Sequence, residues 1–269
     1  AFGPDGAVRH AYRILSGTDL NRAGGATPWH TWLSGEAVPD GRIFECDPYG
    51  SNAALPRLAM GRFRHASLAC DPDRHVIYLT EDEPDGCFYR FVPEDWGDLT
   101  TGRLEVMLAD AVPGPVRWAR VPSPAALLEP TRRQVPGAVR FAGATGCHYG
   151  HGRCVFVTAG DGRVWGYDTA HERLDLVYDP ARPPGAAADP VPAPWRGDRY
   201  VAVAGVPEIK VITPDGEATT FLRVADEGVA ELTGLAFAPD GRRLYVACRD
   251  RAIAVPAGTV YEVTGPFRV

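Results

Sequence analysis

Three features of the 269-residue chain predict an all-β fold of the propeller class. Strand signals dominate it, one hairpin grammar recurs along it, and the recurrence has a period of roughly forty residues. In HASLACDPDRHVIYLTED (65–82) an apolar strand, an Asp-Pro turn and a second apolar strand follow one another, and LTGLAFAPDGRRLYVACRD (232–250) repeats that order. Each is followed by a Gly-containing link and a strand with an aromatic near its middle, GCFYRFVPED (86–95) and GTVYEVTGPF (258–267).

Taken in chain order, AVRHAYRIL (7–15) reads as an isolated strand without a partner hairpin before it; in a closed propeller it would complete a sheet built elsewhere and so remove an exposed edge. WHTWLSGEAVPDGRIFECDP (29–48) is the first repeat and residues 65–95 are the second. Between Asp110 and Gln134 the pattern fails. The stretch VPGPVRWARVPSPAALLEPTRRQ (112–134) is Pro-rich, with one helical turn expected around Ala125–Glu129, and reads as an inter-blade insertion or lid within about 110–138. GCHYGHGRCVFVTAGDGRVWGYD (146–168) resumes the grammar with GDG (160–162) as its hairpin turn, and GDRYVAVAGVPEIKVITPDG (197–216) follows it more loosely. A β-sandwich is the competing architecture, but it does not normally recur with such internal likeness. The expectation is a single propeller domain over 1–269.

Composition supports a folded domain and narrows its partners. A hydrophobic content of 45% over this length is enough for a substantial core. No apolar run reaches the 18 residues a membrane helix needs. The chain opens at Ala1 with neither an initiator Met nor a signal peptide, so processing or truncation is expected to have removed its start. The formal charge of −6 carries no basic cluster, which argues against nucleic acid and anionic membrane and favours a small-molecule substrate or ligand. Lys210 is the only lysine beside 27 arginines, a bias first ascribed to a GC-rich genome. The six cysteines (Cys46, Cys70, Cys87, Cys147, Cys154, Cys248) form no CxxC pair or zinc-spaced cluster, and most read as small buried thiols. No G-x-S-x-G, P-loop or G-x-G-x-x-G motif is present, which leaves covalent serine catalysis and dinucleotide chemistry without support.

Four blocks carry a resemblance. SGTDLNRAGGATPWHTWLSGE (16–36), MGRFRHASLACDP (60–72), YLTEDEPDGCFYRFVP (78–93) and ELTGLAFAPDGRRLYV (231–246) resemble, in the same order, successive blocks of the PhoX-type alkaline phosphatases. That likeness implies a six-bladed propeller with an iron and calcium cluster in its axial channel, phosphomonoester hydrolysis, and export from the cell. It also implies a further stretch before residue 1 carrying most of the first blade. Five repeats and an orphan strand then read as six blades with the first incomplete, because the chain is cut short, the blade is missing, or another chain supplies it.

The departures from the family pattern fall on its ligands. Asn21-Arg22 stands for the family's Asn-Cys, Gly35-Glu36-Ala37 for Cys-Glu-Glu, and Arg64-His65-Ala66 for Arg-His-Glu. Ala144-Thr145-Gly146 stands for Gly-Glu-Gly, His148 occupies the Trp position after it, and the family's Cys-Glu-Asp falls near Val203-Ala204-Gly205. Clustered hard cations need several anionic oxygen ligands to offset the charge they concentrate, so the loss of about four carboxylates and a thiolate predicts a channel without the cluster. Glu36, Glu81, Asp82, Asp189 and Glu231 survive at family positions and are the candidate ligands of a single Ca²⁺, should one persist. Glu36 and Glu231 stand beside the innermost strand of a repeat, Glu81 and Asp82 end a strand, and Asp189 is expected in a Pro-rich loop.

Without metal, the expected chemistry is acid/base work on a small anionic molecule. His30, Glu36, His65, His148 and Glu231 are the candidate catalytic set, because histidine exchanges protons near neutrality. Arg22, which can fix an anion in a bidentate manner, and the aromatics Trp29, Trp32 and Tyr149 are the candidate substrate contacts. His65 has a structural alternative as a strand hydrogen-bonder, the aromatics have one as inter-blade packing, and His10, His75, His151 and His171 read as turn or surface residues. Three functions compete: a cluster-free enzyme performing hydrolysis, elimination or cyclisation; a calcium-dependent phosphomonoesterase; and a non-catalytic binding propeller.

Overall fold

Each repeat forms an antiparallel sheet unit, and the units follow one another in chain order. A computed structural model describes residues 3, 7–180, 187–192, 198–203, 206–213, 217–225, 228–238, 240–250, 258–265 and 267. In the first unit β1 (Asn21–Ala26), β2 (Trp32–Glu36), β3 (Ile43–Cys46) and β4 (Leu55–Pro56) pair in order. The second holds β5 (His65–Asp71), β6 (Val76–Glu81), β7 (Phe88–Asp95), β8 (Asp98–Ala109) and β9 (Gly114–Arg120). The third is β10 (Ala144–Gly150), β11 (Arg153–Thr158), β12 (Arg163–Asp168) and β13 (Arg173–Tyr178). The fourth is β14 (Ala187–Pro192), β15 (Arg199–Val203), β16 (Glu208–Ile212) and β17 (Ala218–Arg223), and the last contains β18 (Val229–Phe237), β19 (Arg243–Asp250) and β20 (Gly258–Thr264).

The first strands of successive units contact one another, β1 with β5, β5 with β10, β10 with β14 and β14 with β18, which places them innermost around an axis. Alternate side chains on a strand face opposite sides of its sheet, so each sheet presents an apolar face to each neighbour. The core accordingly lies in layers between units. Leu33, Ile43, Phe63, Leu68 and Tyr89 fill the first layer, Tyr78, Phe88, Phe156 and Trp165 the second. Val155, Val157, Val201 and Ile212 fill the third, and Tyr200, Leu232, Leu244 and Val246 the fourth. This is propeller architecture, all-β as the repeats predict.

Four expectations are corrected. Residues 9–13 of AVRHAYRIL form no strand and are exposed. The Pro-rich stretch after Asp110 is no simple insertion, because β9 within it pairs with β8 over Ala109↔Val116 to Glu105↔Arg120 and reaches β13 through Leu174↔Gly114 and Arg173↔Pro115. β9 contains one proline, Pro115 at its second residue, while the residues after it keep their backbone donors, Val116 N–H donating to the Glu172 carbonyl at 2.8 Å, so the proline-rich setting does not exclude it from a ladder. The helical turn expected at Ala125–Glu129 is replaced by a short 3-10 turn at Thr131–Arg133. A loop expectation also fails at Asp189, which lies inside β14.

Candidate functional site

Every innermost strand is irregular near its start. Register shifts fall between Asn21 and Gly24, His65 and Leu68, Ala144 and Cys147, Ala187 and Pro190, and Val229 and Glu231. A bulge inserts an unpaired residue and re-aims side chains, a device common beside functional sites. The positions inside these bulges include Arg22, Ala66, Thr145 and Asp189, which are those where the sequence departs from or keeps the family's ligand pattern. The ends of the inner strands that carry the bulges are therefore the candidate site; the hairpin turns after those strands mark the opposite end.

At the bulge end three carboxylates of the expected set, Glu36, Glu81 and Asp82, are each held by an arginine. Arg22 Nη1 donates to Asp82 Oδ2 and so ties the first inner strand to the second unit. Both partners are partly solvated. Glu36 is buried, and Arg42 grips it through Nε at 3.1 Å and Nη2 at 3.3 Å, while the backbone N–H groups of Arg42 and Asp19 donate to it at 2.9 Å and 3.2 Å. Burial pushes Glu36 upward, but these bonds outweigh it and hold the carboxyl below the usual range. Glu81 is fully buried and accepts from Tyr89 Oη at 2.8 Å, the Cys87 N–H at 3.1 Å and Arg132 Nη1 at 3.1 Å. Here burial dominates, and the carboxyl is pushed up despite Arg132.

His65 lies under this layer. Gly35 makes room for it, since a Cβ there would sit 2.7 Å from the His65 Cβ. Its Nε2 is 3.3 Å from the Gly61 carbonyl, its ring centroid is 3.8 Å from that of Phe63, and its buried Nδ1 has no hydrogen-bond partner. Burial lowers its pKa to about 4, so the imidazole is neutral at physiological pH. Thr80 stitches two bulges together, its Oγ1 donating to the Thr145 carbonyl at 2.6 Å and accepting from the Ser67 N–H at 2.9 Å.

The remaining candidates lie elsewhere. Trp29 and His30 occupy the turn between β1 and β2, at the opposite end of β2 from Glu36, and His30 is exposed with φ +65°. Trp29 Nε1 donates to Glu45 at 2.7 Å and its ring meets Trp96 edge-on at 5.0 Å. Trp32 starts β2 at that same end, and Tyr149 Oη donates to Asp73 Oδ2 at 2.9 Å in the β5–β6 turn. His148 is four residues along β10 from Ala144, about 13 Å at the usual strand rise. Its pKa is also about 4, lowered by burial and then by Arg199 and His151. Glu231 is half-buried on β18 and has partners of its own. The side chain of Asp189 lies outside the described residues. His10, His75, His151 and His171 are exposed, as expected, and all six cysteines are free.

Sequence reasoning missed Arg42 and Arg132. Arg42 follows Glu36 by six residues across a turn, and Arg132 reaches Glu81 from 51 residues away, so neither pairing has a local signal. A test of the Glu36 clamp is Glu36→Gln. The depressed carboxyl contributes stability above the ordinary Glu range and loses it as pH falls through the lowered folded value. The variant is expected to lose ~1–3 kcal/mol at neutral pH and to show a flatter acid limb in urea denaturation between pH 5 and 3. An unchanged acid limb would refute the clamp.

The surroundings of these residues agree with the comparisons. The profile described as Alkaline phosphatase PhoX matches residues 5–150, more than half of the chain. No curated protein matches the sequence. Among solved structures, Pseudomonas fluorescens PhoX in complex with vanadate superposes with a TM-score of 0.71 at 17% identity, over 87% of this chain and 65% of that one. Catalytically inactive virginiamycin B lyase from Staphylococcus aureus with quinupristin gives 0.55 at 13% identity, over 88% and 66%. The gluconolactonase XC5397 from Xanthomonas campestris gives 0.54 at 13% identity, over 86% and 70%. This chain thus spans about two thirds of the length of the structures it matches. No helix among the described residues is long and apolar enough to cross a membrane. By the profile match over its first half, the chain belongs to the PhoX alkaline phosphatase family.

Proposed function

We propose that this PhoX-family propeller binds a small anionic organic molecule at the bulge end of its axial channel, without the family's iron and calcium cluster, and performs proton-transfer chemistry on it. The observation that carries the reading is the Arg22–Asp82 pair: a cation stands at a family ligand position and occupies a surviving carboxylate. Glu36 and Glu81 are neutralised in the same way by Arg42 and Arg132. Among the described residues no three His, Cys, Asp or Glu side chains come together to hold an ion. This donor set does not fit a polynuclear cation centre, which would have to displace each guanidinium before it gained a ligand. In the proposal Arg22, the more exposed partner, exchanges Asp82 for the anionic group of the ligand. His65, whose imidazole is neutral, and Glu231 are the acid/base groups of this end in the proposal.

A second reading, a non-catalytic binding propeller, is favoured by the burial of His65 and the four bonds already made by Glu36. The phosphatase, lyase and gluconolactonase that share the fold do not choose between the two, because fold alone does not fix chemistry.

Elemental analysis of the purified chain, with phosphomonoester turnover measured with and without added iron and calcium, is the test. Substoichiometric metal and no phosphate release are expected, whereas stoichiometric iron with calcium and phosphate release would restore the metal-dependent phosphatase. A panel of anionic small molecules should contain one that raises Tm, and Arg22→Ala should abolish that rise. Turnover of the same molecule separates the enzyme from the binding propeller.

A further inference from the structure

The segment before β1 is a strap with two anchors. At one end the Tyr12 ring lies against Gly50, where a Cβ would meet it at 3.2 Å, and Tyr12 Oη donates to the Pro48 carbonyl at 2.7 Å. At the other end the Asp19 N–H reaches Glu36 at 3.2 Å, and the Ala37 N–H donates to the Leu20 carbonyl at 3.1 Å. Between the anchors the backbone of residues 13–16 makes no hydrogen bond among the described residues. The loop between β3 and β4 is fixed separately, because Asp47 gathers the N–H groups of Tyr49, Ser51 and Asn52 at 2.8, 3.1 and 3.0 Å and the Asn52 side-chain amide at 3.0 Å. These bonds, led by that of Tyr49, hold the Asp47 carboxyl below its usual range.

Strap and loop leave between them a solvent-open cleft of about 370 Å³, lined by residues 13–16 and 50–54. That is room for about a dozen non-hydrogen atoms at the ~30 Å³ a water molecule takes up in the liquid. The lining has hydrogen-bonding capacity that the fold does not use. Among the described residues Arg13 forms no ion pair or hydrogen bond, the Ser16 and Ser51 hydroxyls form none, and the Asn52 amide turns its nitrogen to Asp47 and leaves its oxygen unbonded. No carboxylate and no aromatic ring lines the cleft. One cation, two hydroxyls, an amide oxygen and open backbone groups suit a ligand with one negative charge and several hydroxyl groups.

We propose that this cleft binds a small polyhydroxylated carboxylate of the sugar-acid class. Arg13 takes the carboxylate through two parallel N–H bonds. Ser16, Ser51, Asn52 and the strap backbone exchange hydrogen bonds with the ligand hydroxyls. A phosphate fits less well: of its charge of about −2 one guanidinium offsets half, and the ionised Asp47, 3.1 Å from the Ser51 N, repels the rest. The β3–β4 connection follows Cys46, which pairs with Trp32, so the cleft lies at the turn end of the first unit, away from Glu36 and Arg22. The proposal therefore does not rest on the channel reading.

D-glucuronate titrated into the whole isotope-labelled chain tests it, with backbone amide resonances followed residue by residue. Shifts are expected at residues 13–16 and 50–54 with a Kd of about 1 mM. Because each residue is read separately, binding at the channel end is scored apart, and failure of either reading leaves the other standing. D-glucose, which has the ring hydroxyls without the charge, and acetate, which has the charge without the hydroxyls, should each bind about tenfold more weakly, as should inorganic phosphate. Arg13→Met alters an exposed side chain that holds nothing in place, so it should weaken glucuronate about tenfold at unchanged Tm. Arg13→Lys should restore only part of the loss, since an ammonium lacks the two-pronged fork. Ser51→Ala should weaken binding about three- to tenfold. Unmoved cleft amides up to ~20 mM glucuronate, full affinity in Arg13→Met, or acetate or phosphate binding as tightly as glucuronate overturns the site.

Discussion

Arg132→Met is expected to destabilise the fold by ~3–5 kcal/mol at pH 7, because it leaves Glu81 ionised and buried without its guanidinium. Glu81 is wholly enclosed, and Tyr89 and the Cys87 N–H supply bonds but no positive charge. The pH dependence identifies the cause. Burial already raises the Glu81 pKa in the folded state, and loss of Arg132 raises it further. A carboxyl with a raised folded value binds its proton more tightly folded than unfolded. It therefore penalises the fold progressively as pH rises from the unfolded value, near ~4.3, through the folded one. The variant should recover most of its deficit when urea denaturation is repeated at pH 4.5. An equal deficit at both pH values would mean that Arg132 acts through packing alone. Replacing Glu81 and Arg132 together by Leu and Met should cost far less than Arg132→Met, since both charges leave the interior at once.

Phe63→Ala carries the second large effect, a loss of ~3–5 kcal/mol. The ring is buried between the first and second units, 4.6 Å from Tyr89 and 3.8 Å from His65 between centroids. Its removal opens a cavity beside the unpartnered Nδ1 of His65, and a polar lining of this kind admits water. The His65 pKa should climb from about 4 toward its ordinary value. A histidine depressed in the folded state lowers stability as pH falls from the unfolded value, ~6.5, toward the folded one. The unaltered protein should lose stability over that window on account of His65, and the variant should lose less of it. Histidine ring resonances followed against pH check this directly; an unshifted His65 would show that Phe63 is not what keeps it dry.

The hairpin units were legible because their turns are. Asp-Pro at 71–72, Gly-Asp-Gly at 160–162 and the alternation around them fix strand, turn and strand locally. Two strands were hidden by proline: β9 contains Pro115 and is flanked by Pro113 and Pro122, and β14 contains Pro190 and Pro192. Prolines there do not break the ladder, since β14 carries a bulge before Pro190 and β9 lies outside the inner four strands. The reverse holds at residues 9–13, where strand-like alternation makes no strand. Around the axis, the sequence marks inner-strand positions that fall in the bulges but not their partners. The sequence reads Arg22 as a contact for an anionic substrate; in the fold it holds Asp82, sixty residues away. Such pairings depend on which units become neighbours, which no local pattern encodes.

The seam between β9 and β13 merges the second and third units into one nine-stranded sheet, whereas the first, fourth and last units remain separate sheets. Backbone amides of the strands β5 to β13, between His65 and Tyr178, should consequently exchange with deuterium as one cooperative block, slower than those of the first and last sheets. The molecule then has a rigid middle and looser flanks, so a ligand seated at either margin of that middle would tighten the part of the protein with most freedom left to lose.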